Sequence, residues 1–187
     1  MSIPNDQTIV GGPHTGHRML LLWATTRGVS PEMADSIAIA FTVYGELTRI
    51  GNILPFAQAA HETGWFTSAR WRISYNPAGL GATNDGAWGG TFRNPAEGIL
   101  AQYAHLIAYA VKPEEAGQVQ RALSMIDPRY DAVKGRGWLG VAPRWIDLNG
   151  RWAYPGRTYG QSIIKIANTL LQNAEDRGAS VVFLDAE

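Results

Sequence analysis

Between Asn52 and Glu62 the chain reads Asn-Ile-Leu-Pro-Phe-Ala-Gln-Ala-Ala-His-Glu, apolar on almost every side and closed by a carboxylate. A helix that is hydrophobic all round belongs in a protein interior. Pro55 fits because it falls in the first turn, where amide donors lack intrahelical partners. Any fold for this chain must therefore wrap other elements around this segment and bring Glu62 out at its end.

The flanking sequence supplies the wrapping. Thr15–Arg27 carries Met19, Leu20, Leu22 and Trp23 at near-helical spacing and stops at Gly28. Ser30-Pro31 opens a second helix, with Ser as N-cap and Pro at the first helical position, running to about Ile50 and Gly51. Asn94-Pro95-Ala96-Glu97 is a further start, and its apolar stripe from Ile99 to Ala110 predicts a helix to about Val111. Shorter and longer helices are expected over Glu115–Ile126 and Tyr159–Glu175. Ser180–Leu184 suits a short strand or ordered coil. Asn84-Asp85-Gly86 marks a turn, and a small β-hairpin is expected between Gly79 and Phe92. The expected fold class is mainly α (α+β): an N-terminal arm over residues 1–13 and one helical domain over 14–187 with a small hairpin lobe. A length of 187 residues fits one such domain.

Composition narrows the function. Sixteen basic residues balance sixteen acidic ones without runs of either sign. That argues against a nucleic-acid partner, which needs clustered Lys and Arg. Apolar runs such as Ile37–Val43 fall far short of the roughly 20 residues a membrane helix requires, so no membrane insertion is expected. There is no cysteine, and His61-Glu62 does not begin a zinc motif, because position 65 is Trp where a second His would stand. No metal and no cofactor are expected. His105, on an apolar helix, reads as a packing residue, and His61 as a core or cleft-edge residue. Of seven Trp and seven Tyr, six Trp and three Tyr fall in glycine-rich stretches between Trp65 and Trp88 and between Trp138 and Tyr159. Aromatic loops of this kind suit carbohydrate, although Trp side chains also pack inward.

Glu62 is the candidate acid. Helix C-terminal carbonyls and apolar surroundings both disfavour its ionised form, with Trp65 and Phe66 expected to fold back as the apolar wall. A carboxylic acid that stays neutral near pH 7 can protonate a glycosidic oxygen. The alternative is an exposed glutamate at a helix end.

Ala57-Gln58-Ala59-Ala60-His61-Glu62-Thr63-Gly64-Trp65 resembles the "AQAALETGWG" motif of glucosaminidase domains in glycoside hydrolase family 73. Tyr75-Asn76-Pro77-Ala78-Gly79-Leu80-Gly81 is similar to its "NNLFGI" segment. Phe92–Ile99 resembles its helix start, and Trp152–Tyr159 its closing "YATDPxY" segment with altered spacing. The resemblance covers about Ile53–Leu171. It implies a lysozyme-like fold and cleavage of the β-1,4 bond on the reducing side of N-acetylglucosamine in peptidoglycan. By motif, Glu62 becomes the general acid and Tyr159 a residue that orients substrate or water, against a plain packing role. Asn76 becomes a cleft-floor residue, against a turn-forming role. Trp65, Trp88 and Tyr154 are the aromatic candidates for substrate binding. The second catalytic group is either Asp85, which equally suits a turn former, or the substrate's own acetamide.

Two other readings stay open: a lytic transglycosylase or muramidase on the same fold, and a non-catalytic carbohydrate-binding module. Peptidoglycan glycan strands are the expected partner, with a monomer expected. The start, Met1-Ser2-Ile3-Pro4-Asn5-Asp6, does not read as a secretory signal. A phage lysin released from the host cytoplasm or a domain cut from a longer secreted protein would both reach the wall.

Overall fold

The computed structural model describes residues 1–81 and 89–185. These form a mainly helical molecule with a two-stranded antiparallel sheet. The buried centre is α3 (Ile53–Thr63), in which Ile53 through Ala60 are all buried. Around it lie α1 (His17–Thr25), α2 (Pro31–Thr48), α5 (Pro95–Ala110) and α8 (Tyr159–Asp176). α8 packs directly on α3, while α2 sits between α1 and α5. Phe56 of α3 anchors an aromatic cluster, with ring centroids 5.4 Å from Phe41, 5.2 Å from Phe66 and 5.8 Å from Trp23.

The helix boundaries follow side-chain capping. Ser30 Oγ accepts the Met33 amide at the start of α2. Asn94 Oδ1 accepts the Glu97 amide at the start of α5, and Glu97 reaches back to the amide of Arg93. α2 stops two residues before Ile50 because Arg49 takes up the left-handed conformation.

Two short helices occupy stretches whose sequence carries no helical period. α4 (Ala69–Ser74) follows Ser68, whose hydroxyl accepts the Trp71 amide, and lies where an aromatic loop is expected. α7 (Tyr130–Gly135) follows Asp127-Pro128 and comes after α6 (Gln118–Ser124). Six residues complete fewer than two turns, too few for an amphipathic pattern to register.

The described sheet joins the two ends of the chain. β1 (Pro13–Thr15) pairs with β2 (Val181–Phe183), Pro13 opposite Phe183 and Thr15 opposite Val181. The hairpin expected over Gly79–Phe92 has its turn, with Asp85 and Trp88, outside the described residues. Residues 1–12 lie on the core: Ile3 and Ile9 are buried, the Ile9 amide donates to Pro143 O, and Asn168 clasps the backbone of Ile3 from α8. No helix among the described residues is long and apolar enough to cross a membrane.

Candidate active site

Glu62 stands one residue from the end of α3, at the mouth of a cleft of about 620 Å³. Its neighbours there come from the loop Ala78–Gly81 and from the segment Gly150–Tyr154. The cleft leaves the residue open to water on one side while protein crowds the carboxyl on the others. Desolvation by those walls raises its pKa above the ordinary glutamate value. A hydrogen bond from Tyr159 and the positive fields of His61 and Arg70 pull in the opposite direction and do not cancel it.

The bond from Tyr159 is the end of a buried chain. Gln102 Nε2 of α5 donates to Gln58 Oε1 at 2.7 Å, Gln58 Nε2 donates to the Tyr159 hydroxyl oxygen at 2.9 Å, and Tyr159 donates to Glu62 Oε1 at 2.7 Å. Gln102 Nε2 also donates to Pro55 O at 2.9 Å, and the Tyr159 oxygen accepts from Gln58, so the Tyr159 hydrogen points to Glu62. Burial, with the adjacent Glu62 carboxyl, pushes the Tyr159 phenol well above its ordinary value, which keeps it a donor. With Oε1 taken, an acidic proton on Glu62 resides on Oε2. That oxygen lies beside Gly79, where a Cβ would sit 3.6 Å away.

Gln58 was hidden within an apolar helix, yet it lies four residues before Glu62 and so shares its face. A lone amide among buried apolar residues was the available signal, since a buried polar group demands partners.

Asn76 is buried and forms the floor indirectly. Its Nδ2 donates to Leu80 O at 2.9 Å and Gly90 O at 3.1 Å, and its Oδ1 accepts from Leu80 N at 2.9 Å and Ala78 N at 3.4 Å. Both amide hydrogens and both lone pairs are spent on the loop, so the turn-forming role is the one it fills. It shapes the cleft without presenting a polar group to it.

Trp65 and Phe66 do not wall the carboxyl. Gly64, Trp65 and Phe66 all have positive φ, at 57°, 60° and 62°. The Trp65 amide returns to Ala60 O at 2.8 Å, and Phe66 N donates to Thr63 Oγ1 at 2.8 Å. This reversal sends Phe66 into the core against Trp71 and places Trp65 under the guanidinium of Arg27, 4.1 Å from its ring. Neither ring lines the cleft.

Together with Trp138, Trp152 lines the cleft with Glu62. It stacks on Tyr159 at 6.4 Å with the planes 12° apart, meets His105 edge-on at 4.8 Å, and donates from Nε1 to Ala78 O. Tyr154, 84% exposed, stands at the cleft lip as a free aromatic surface. His105 is held through Nδ1 by the buried Asp127 at 2.9 Å and lines the cleft as well as packing. His61 is exposed and meets the Tyr159 ring edge-on at 6.0 Å.

A second, shallower groove of about 720 Å³ runs along α8 past Asn168, Thr169 and Gln172. Its lining is mostly amides, and its carboxylate, Asp176, accepts from Gln172 Nε2. No cluster of three His, Cys, Asp or Glu able to hold a metal occurs among the described residues. Glu62 is the one carboxylate among the described residues that line its cleft. Asp85 and Trp88 lie outside the described residues.

No family model matches the chain, and no solved structure matches it. An uncharacterized protein of Borreliella burgdorferi is 31% identical over 153 residues, a match that spans 79% of this chain and 70% of the relative. The chain belongs to the same family as that spirochaete protein.

Proposed function

We propose that the chain is a peptidoglycan glycosidase of the N-acetylglucosaminidase type, built as a lysozyme-like helical domain, with Glu62 as general acid. The observation that carries the reading is the Glu62 carboxyl itself, held in a cleft with its pKa raised by desolvation and one oxygen fixed by Tyr159 at 2.7 Å. The aromatic surfaces of Trp152 and Tyr154 beside it suit the faces of pyranose rings.

In the proposed reaction the proton on Glu62 Oε2 passes to the glycosidic oxygen as the bond from that oxygen to the anomeric carbon breaks. The electron pair of the broken bond leaves with the departing sugar. The acetamido oxygen of the N-acetylglucosamine unit closes on the anomeric carbon. Water then opens this ring, giving its proton to the Glu62 carboxylate and restoring the acid. Substrate assistance of this sort needs no second protein carboxylate, in keeping with Glu62 standing alone among the described cleft residues. Asp85 is the protein group that would take over the acetamide's part.

The same lone carboxyl favours one competing reading. In a lytic transglycosylase the sugar's own hydroxyl replaces water, and again one acid suffices. Mass spectrometry of digested cell walls separates the two: a reducing-end N-acetylglucosamine marks the hydrolase and a 1,6-anhydromuramyl end the transglycosylase. Glu62→Gln keeps the shape and removes the acid, and is expected to lower the rate by about 100- to 10,000-fold. Full clearing of walls by a folded Glu62→Gln protein would overturn the assignment, and no clearing by either protein would favour a binding module.

A further inference from the structure

The half of the cleft away from Glu62 carries charge that acid catalysis does not use. Arg129 and Arg136 reach it from either end of α7, and Arg151 from the segment Gly150–Tyr154. Between them stand Tyr109 and Trp138, with ring centroids 6.3 Å apart, and the Arg136 guanidinium lies 5.5 Å from the Trp138 ring. The chain as a whole is electrically neutral, so these three guanidiniums, in a cleft that Arg70 also lines near Glu62, are a local concentration rather than part of a basic surface.

Their surroundings leave them available. Arg93 and Arg144, by contrast, are committed to Glu97 and Asp147. Among the described residues no ion pair involves Arg129, Arg136 or Arg151. Arg151 donates to the backbone oxygen of Asp147 and Arg136 to that of Ala132, contacts that orient a guanidinium without neutralising it. Asp127, the buried acid of this region, is committed to His105 Nδ1 and to the amide of Arg129. It acts as a strut that fixes the start of α7 against α5.

Trp152 joins this half to the other, meeting His105 edge-on and stacking on Tyr159. A glycan lying across Trp152 with one bond at Glu62 would present its neighbouring substituents to the arginines. A neutral sugar has nothing to offer them, whereas a carboxylate matches the guanidinium fork.

We propose that Arg129 and Arg136, with Arg151 beside them, form a subsite for the carboxylates of the lactyl-peptide branch on the glycan. The proposal rests on the reading of the chain as a peptidoglycan glycosidase, and it makes the preferred substrate the peptide-bearing polymer rather than a neutral glucosamine chain.

Binding to Glu62→Gln protein tests it without turnover. Three tetrasaccharides would be titrated calorimetrically: a peptidoglycan fragment with intact stem peptides, the same fragment trimmed by an amidase to its lactyl carboxylates, and a neutral N-acetylglucosamine tetramer. The stem-bearing fragment is expected to bind about tenfold or more tightly than the neutral tetramer, as charge-assisted bonds allow. Adding Arg129→Gln and Arg136→Gln should erase that gap and leave the neutral tetramer's affinity within about twofold, the scale of context dependence in such measurements. The amidase frees lactyl carboxylates that are amide-bonded in the stem-bearing fragment, so trimmed fragment binding as tightly shows that the arginines accept a carboxylate at the lactyl position as well; binding like the neutral tetramer assigns the contact to the carboxylates of the peptide. Equal affinity for stem-bearing and neutral ligands, or a gap that survives in the double variant, overturns the subsite. Failure of the enzyme reading shows separately, as wild-type protein that binds the fragment and never cuts it.

Discussion

At Glu62 two opposed influences set the protonation state, and their balance gives the site its direction. Desolvation holds the proton on, while Tyr159 favours the carboxylate that remains once the proton has left. A general acid must be protonated before it acts, so activity falls as pH rises through the Glu62 pKa. Tyr159→Phe removes an influence that lowers that pKa. The alkaline limb of the pH–rate profile should therefore move to higher pH, with the peak rate also reduced. A limb that stays in place or moves down would show that Tyr159 does not act on the acid. Glu62 and Tyr159 could both be picked from the sequence, through motif and position. The bond between them joins residues 97 positions apart, and so does not appear in any local pattern.

Helices here place chemistry chiefly through their ends. α3 delivers Glu62 because the left-handed turn at Gly64 stops it one residue later, and α8 begins with Tyr159. α5 supplies Gln102 from its second turn and needs its first turn pressed close to the loop behind Asn76. Gly98 makes that approach possible, since a Cβ there would overlap the Tyr75 carbonyl oxygen. Gly98→Ala should cost about 1–3 kcal/mol in a denaturant titration, in line with overpacking elsewhere. It should also weaken activity by shifting the Asn76 loop. Unchanged stability would mean that the helix start can move freely. The long helices announce themselves through repeated apolar spacing and capping residues such as Ser30 and Asn94. α4 and α7 do not, because one and a half turns pinned by contacts elsewhere carry no period of their own.

On the scale of the whole molecule the two ends of the chain close the structure. β1 meets β2, while residues 1–12 bury Ile3 and Ile9 against α8 and the segment after Ala142. Deleting residues 1–12 should destabilise the protein by about 3–6 kcal/mol, from the loss of two buried isoleucines. Urea unfolding followed by circular dichroism would measure it, and a midpoint equal to that of the intact chain would show the segment to be a passive appendage. Helical class, the buried nature of α3 and the position of an acid at its end are all readable along the chain, because backbone periodicity and capping act over a few residues. Which ring walls that acid is not readable. Trp65 lies three residues from Glu62 and is turned away by three successive positive φ angles, whereas Trp152, ninety residues on, closes the cleft. Local sequence specifies conformations within a turn or two of helix; the electrostatic surroundings of a carboxyl depend on whatever distant groups the packed chain brings within a few ångströms of it.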